Sequence, residues 1–150
     1  MKKFFMAVIL FVMVISKVSI VQAVTNSSQS EFNSALSVSV TALNETAGYS
    51  NAINNGDYNS ALFYRDKCSS QSEVLGFWEN NLSGKEALEC LLLTDIIVMA
   101  RGQTLYCYLE AVNAYRSSQI NLYNEYLQKM YSCYNEAEQA RQEFRAKYGY

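Results

Sequence analysis

Ser83-Gly84-Lys85-Glu86-Ala87-Leu88-Glu89-Cys90-Leu91-Leu92-Leu93-Thr94-Asp95-Ile96-Ile97-Val98-Met99-Ala100 is the stretch that decides the fold. It opens on Ser-x-x-Glu, the pattern of a capping box in which a serine hydroxyl and a glutamate carboxylate satisfy the free amides of a helix start. The residues after it are apolar and good helix formers, so a helix is predicted from Gly84 to about Tyr115, softened only at Gly102. It is too short an apolar run, and carries Asp95, so it reads as a buried core helix rather than a membrane span.

The chain on either side repeats the theme. Phe32, Leu36, Val40 and Leu43 recur at steps of three and four, the helical period, and predict a first helix from about Ser30 to Ile53. Asn54-Asn55-Gly56-Asp57 is a turn, with Asp57 placed to cap a second helix that ends near Asn80-Asn81. After the third helix, Arg116 to Gln119 reads as a turn. A fourth helix follows from Ser118 to Tyr148, with Ile120, Tyr123, Leu127, Met130, Tyr134, Ala137 and Phe144 as its inward stripe. There is no proline and no internal repeat. The expected fold is all-α: an antiparallel bundle of about four helices over residues 31–150, carrying two disulfides. The alternative is two helical hairpins of unequal length.

The N-terminus has the order of an export signal. Lys2 and Lys3 precede the apolar run Phe4 to Ile15, and small or short residues lead to Ala23. We expect residues 1–23 to be a signal peptide, residues 24–30 a flexible segment, and the protein to be secreted, with no membrane contact after cleavage. An uncleaved anchor is the alternative, because Val18 to Val21 extends the apolar character beyond Ser16-Lys17. Removing Lys2, Lys3 and Lys17 leaves nine basic against 14 acidic residues, a net charge of −5. An acidic chain without a basic cluster repels phosphate backbones, which argues against nucleic acid as a partner.

Four cysteines, Cys68, Cys90, Cys107 and Cys133, in an exported chain imply disulfides. Cys90 and Cys107 share one predicted helix and lie about 25 Å apart along it. A disulfide needs Cα atoms within about 7 Å, so this pairing is excluded along with its complement. Folding the second helix on the third at about Leu82, and the fourth on the third at about Ser117, favours Cys68 with Cys90 and Cys107 with Cys133. Each bridge closes a loop worth about 3 kcal/mol in the chain-entropy account. Metal-ligand spacing is absent, and so is the Cys-x-x-Cys of redox enzymes.

Histidine is missing altogether, which removes the commonest general base and metal ligand. No nucleophile-elbow or phosphate-binding glycine motif occurs. Glu86 with Glu89, and Glu136 with Glu143, stand one and two turns apart and read as solvated helix faces. No catalytic, cofactor or metal site is therefore expected. Asp95 is singled out as a buried polar position, with Arg101, Arg65 or a tyrosine hydroxyl as its partner. Asn26, Asn44 and Asn81 begin N-glycosylation sequons that matter only in a eukaryotic source.

Nine of the 12 tyrosines fall between Tyr106 and Tyr150, and Tyr108, Tyr115 and Tyr131 do not fit the predicted inward faces. Exposed aromatic rings with polar tips suit interfaces. The expected function is a non-catalytic module that binds a protein partner, or associates with itself, through these tyrosines. The alternative is a carrier of a small apolar ligand held near Leu91, Met99, Leu105 and Met130. Locally, Ala52 to Tyr64 resembles the turn and second-helix start of a tetratricopeptide repeat; it occurs once, without a period of about 34 residues, and signals a helical hairpin only. Insect odorant-binding proteins are similar in being small, secreted and helical, but their closely spaced cysteines are not found here.

Overall fold

The computed structural model describes residues 28–150; the expected signal peptide and residues 24–27 lie outside them. The described chain forms a helical bundle of four long helices and one short one: α1 (Gln29–Glu45), α2 (Tyr49–Asn54), α3 (Tyr58–Asn81), α4 (Lys85–Arg116) and α5 (Ile120–Tyr148).

Local chemistry sets the ends. Ser28 accepts from the Glu31 amide while the Glu31 carboxylate takes the Ser28 amide, a complete capping box. The helix thus claims Ser28 to Ser30, the end of the segment expected to be flexible. Asp57 caps α3 as expected, accepting from Ser60 N at 3.0 Å, and the bond from the Ser60 hydroxyl (2.6 Å), followed by the amide bond, holds its carboxyl below the usual range. The capping box expected at Ser83 does not form. Gly84 occupies the cap position without a side-chain bond, and the Ser83 hydroxyl points instead at Glu31 Oε1, 3.5 Å away.

The single first helix expected over Ser30–Ile53 is broken at residues 46–48. In an unbroken helix the Leu43 carbonyl would accept from the Ala47 amide; here Arg101 Nη1 donates to it at 2.8 Å, and Ala47 N turns to Asn44 O. Gly48 completes the corner, since a Cβ there would stand 2.1 Å from the Tyr64 ring.

α4 is the hub. Ser39 against Cys90 (3.5 Å) and Leu43 against Arg101 run α1 parallel to it. Ser72 on Asp95, and Cys68 under Gly102, run α3 antiparallel. Lys147 on Glu89, and Cys133 on Cys107, do the same for α5. At about 100° per residue these contacts place α3 and α5 on opposite flanks of α4. The α1–α2 corner covers the face between them. The core lies on that side, with Leu75, Leu91, Ile97, Val98, Leu105 and Phe144 fully buried. α4 is also long and apolar enough, by length and composition, to cross a membrane, as core helices of soluble proteins commonly are.

The two disulfides are not present: all four thiols are free. Cys68 and Cys90 sit on different flanks of α4, one under Gly102 and the other beside Ser39. The connection at residues 82–84 is not helical, so the hairpin turns later than Leu82 and carries Cys68 past the level of Cys90. Cys107 and Cys133 stand opposite each other across α4 and α5, closer in level than folding at Ser117 placed them, but their side chains hydrogen-bond as unlinked thiols.

Candidate functional site: the open face of α4

The face of α4 opposite α1 has no helix over it. Leu92, Ile96, Met99 and Tyr106 stand along it at steps of four, three and seven, each 37–44% exposed. Apolar residues on this spacing form one continuous row along a helix. On one flank a furrow of about 540 Å³ runs between α3 and α4, bounded by Arg65, Glu73, Met99 and Gln103. It exists because the residues lining the seam are small: Ser69 and Ser72 from α3 and Gly102 from α4.

Asp95 lies beneath this surface. It is only 4% exposed, and Ser72 Oγ donates to its Oδ1 at 2.6 Å, so the seam of the furrow is tied to a buried carboxylate. Arg101, one of the partners suggested by the sequence, is engaged elsewhere. Its Nη1 donates to Leu43 O and to Thr46 Oγ1 (2.7 Å), and its guanidinium stacks over the Tyr49 ring at 5.2 Å. Burial pushes the Arg101 pKa down, and burial followed by the nearby Glu138 carboxylate pushes the Tyr49 hydroxyl up. Tyr49 Oη in turn donates to Glu138 at 3.1 Å, and Arg141 donates to the same carboxylate at 2.8 Å. Burial alone would raise Glu138, but the bonds from Arg141 and Tyr49 outweigh it and hold the carboxyl below its usual range. This network fastens the α1–α2 corner to α4 and α5 and faces the core, away from the open face.

On the other flank lie Cys107 and Cys133. The Cys133 thiol hydrogen-bonds to Cys107 and lowers it to about 7, with a further bond from Gln103 Nε2 at 3.6 Å. The same interaction pushes Cys133 up. Burial raises Cys68 to about 12 and also raises Cys90.

The tyrosines singled out from sequence are not brought together. Tyr108 is half-buried against the core cluster, with its hydroxyl 4.0 Å from where a Cβ on Gly56 would sit. Tyr115 is exposed at the α4–α5 turn, its ring against Tyr123 at 5.5 Å. Tyr131, 61% exposed, projects from the outward row of α5. The residues nominated for an apolar ligand are likewise divided: Leu91, Leu105 and Met130 are packed in the fold, and only Met99 reaches a groove. A second depression, about 590 Å³, lies between α1 and α3 and is lined mainly by serine and asparagine with Trp78. Among the described residues no group of three acidic or cysteine side chains converges as metal ligands do.

The row Leu92–Tyr106 escaped the sequence reading because α4 is apolar nearly all round, which reads as complete burial. The three-and-four spacing of Leu92, Ile96 and Met99, in line with Tyr106, beside the small residues of α3 was the available signal. No family model, curated protein or solved structure matches this chain.

Proposed function

We propose that the protein is an exported, non-catalytic helical module that binds a protein partner through the open α3–α4–α5 face. One observation carries the reading: an apolar row on α4, Leu92, Ile96 and Met99 with Tyr106 beyond the polar Gln103, exposed between two helices that leave it uncovered. Single exposed apolar residues are ordinary on any protein, whereas contiguous ones beside a furrow mark interaction surfaces. The N-terminal charge and apolar pattern supports export, and the absence of histidine supports a binding rather than a catalytic role. This moves the surface from Tyr108, Tyr115 and Tyr131 to the α4 row, with Tyr106 as its aromatic member. The apolar-carrier reading has less support, because three of its four residues are occupied in core packing.

Photo-crosslinking tests it, with benzoylphenylalanine placed at position 99 in the cells that make the protein. A discrete adduct from position 99, and none from the outward position Thr41 on α1, is the expected outcome. Equal adducts from both positions, or none from either, sink the proposal.

A further inference from the structure

Resting on that reading, we infer that the partner segment is a cationic amphipathic helix that lies along the α4 row with its basic residues against an acidic rim. The row from Leu92 to Tyr106 is about 21 Å long at about 1.5 Å per residue, the length of a short helix. Leu92, Ile96 and Met99 keep steps of four and three and Tyr106 follows two turns on, past Gln103, so a partner helix with apolar residues at three-and-four spacing interdigitates with them. The Ser69–Ser72–Gly102 seam leaves room for larger side chains from the partner.

Charge selects the occupant. Four carboxylates border the row: Glu73 at the furrow, Glu110 and Glu136 beside the cysteine pair, and Glu143 two turns beyond Glu136 on α5. None of the four forms an ion pair among the described residues. The bordering cations already have partners: Arg65 has Asp66 at 2.8 Å, Lys129 has Glu125 at 2.7 Å, and Lys85 and Lys147 share Glu89 at the Leu92 end, fewer positive charges than the four unpaired carboxylates. The rim is therefore net negative. A second copy of this chain would bring the same acidic rim against itself, which disfavours self-association. A helix with lysine or arginine flanking its apolar row meets both features at once.

The test uses the folded chain and two synthetic helical peptides of about 18 residues, about 27 Å long. Both carry leucine at three-and-four spacing, one with lysine and the other with glutamate at the flanking positions. Fluorescence anisotropy gives Kd at about 0.05 M and 0.5 M salt, where the Debye length falls severalfold. The lysine peptide should bind at least about tenfold tighter, a difference of about 1.4 kcal/mol, with the gap closing at high salt. Ile96→Ser with Met99→Ser, which changes no charge, should weaken its binding at least about tenfold. Glu136→Lys with Glu143→Lys should abolish the preference, and circular dichroism checks that both variants fold. Equal binding of both peptides, lost in Ile96→Ser/Met99→Ser, overturns the charge inference and leaves the docking reading standing. Lysine-peptide binding that survives Ile96→Ser/Met99→Ser is diffuse electrostatic attraction and overturns both. Binding of neither peptide overturns the inference, and a dimer in sedimentation would then give the face to a second copy.

Discussion

Arg101→Met should cost about 2 kcal/mol of stability, although it replaces a buried charge with an apolar side chain of similar length. Arg101 is 4% exposed, so its guanidinium has lost nearly all its water. Relief of that desolvation favours the variant, and buried charges are sometimes replaced by apolar groups with no loss. Three losses oppose it. The Leu43 carbonyl, which takes Arg101 Nη1 at 2.8 Å, is left with only the long 3.4 Å bond from Thr46 Oγ1, a hydroxyl that also serves Ala42 O, at about 1 kcal/mol. The stacking on Tyr49 at 5.2 Å disappears, at about 2 kcal/mol for a desolvated pair. Thr46 loses less, because its hydroxyl still donates to Ala42 O at 2.9 Å. The losses exceed the relief because the break in α1 leaves that carbonyl only the long, shared bond from Thr46 Oγ1, while the Tyr49 stack has no replacement. Urea unfolding measures the difference, and amide exchange locates it: protection should fall first at Ala47 to Tyr49. Arg101→Lys should lose about half as much, since an ammonium keeps the charge but not the planar stack. A loss below about 0.5 kcal/mol for Arg101→Met, or a gain, would show that desolvation cancels the bonds and would refute the account of why α1 breaks.

Three further outcomes follow from particular contacts. Leu91→Ala, in the core, should lose about 2–5 kcal/mol, whereas Met99→Ala on the open face should change stability by less than about 0.5 kcal/mol; similar losses at both would mean that the α4 row is packed rather than free. Iodoacetamide near neutral pH should modify Cys133, the one half-buried thiol of the four, before the buried Cys68 and Cys90, whose pKa burial raises, and native-state mass mapping that finds Cys68 modified first contradicts the thiol assignments. Ser118 takes a positive φ of 57° at the left-handed position of a Schellman motif, its amide on Tyr115 O and that of Gln119 on Ala114 O. Ser118→Gly should therefore raise stability by about 0.5–1 kcal/mol, a gain that thermal unfolding either shows or does not.

How legible each part was depends on how far away its cause lies. The bounds of α4 and α5 came within about two residues, because the polar breaks at Ser83-Gly84 and Ser117-Ser118 are local signals, and so is the Asp57 cap. The break in α1 was not visible, because it is made by Arg101, 58 positions along the chain. Ser83 and Ser28 carry the same capping pattern, yet only Ser28 forms the box; the Ser83 hydroxyl is drawn toward Glu31 of a neighbouring helix. Counting cysteines gave a disulfide expectation from compartment alone, and a loop that turns a few residues later than assumed was enough to separate Cys68 from Cys90. The tyrosines near the C-terminus could be counted but not assigned to faces, because periodicity does not say which side of α5 meets α4. Ile120 was placed inward on that basis and is 52% exposed.

The alkaline limb of stability joins the core to the thiols. Cys68 is raised by burial from 9.0 to about 12, and burial also raises Tyr49. The unfolded chain releases the Cys68 proton near pH 9, whereas the folded chain keeps it until about pH 12. Between those values the native state binds more protons than the unfolded state, so stability falls as pH rises from about 9 toward 12 and is complete below that window. Cys68→Ala should flatten this slope while leaving the neutral-pH structure intact, because the position under Gly102 demands a small side chain, with Cβ atoms that would stand 3.1 Å apart. In the Cys107–Cys133 pair the lowered Cys107 adds stability as pH rises from about 7 to 9, and above 9 the raised Cys133, which keeps its proton in the folded chain, adds to the same alkaline fall. If Cys68→Ala keeps the slope of the parent in urea titrations at pH 8, 9, 10 and 11, the alkaline loss belongs to Cys133, Tyr49 and the Arg101 corner, and the tight seam between α3 and α4 is not what holds that proton.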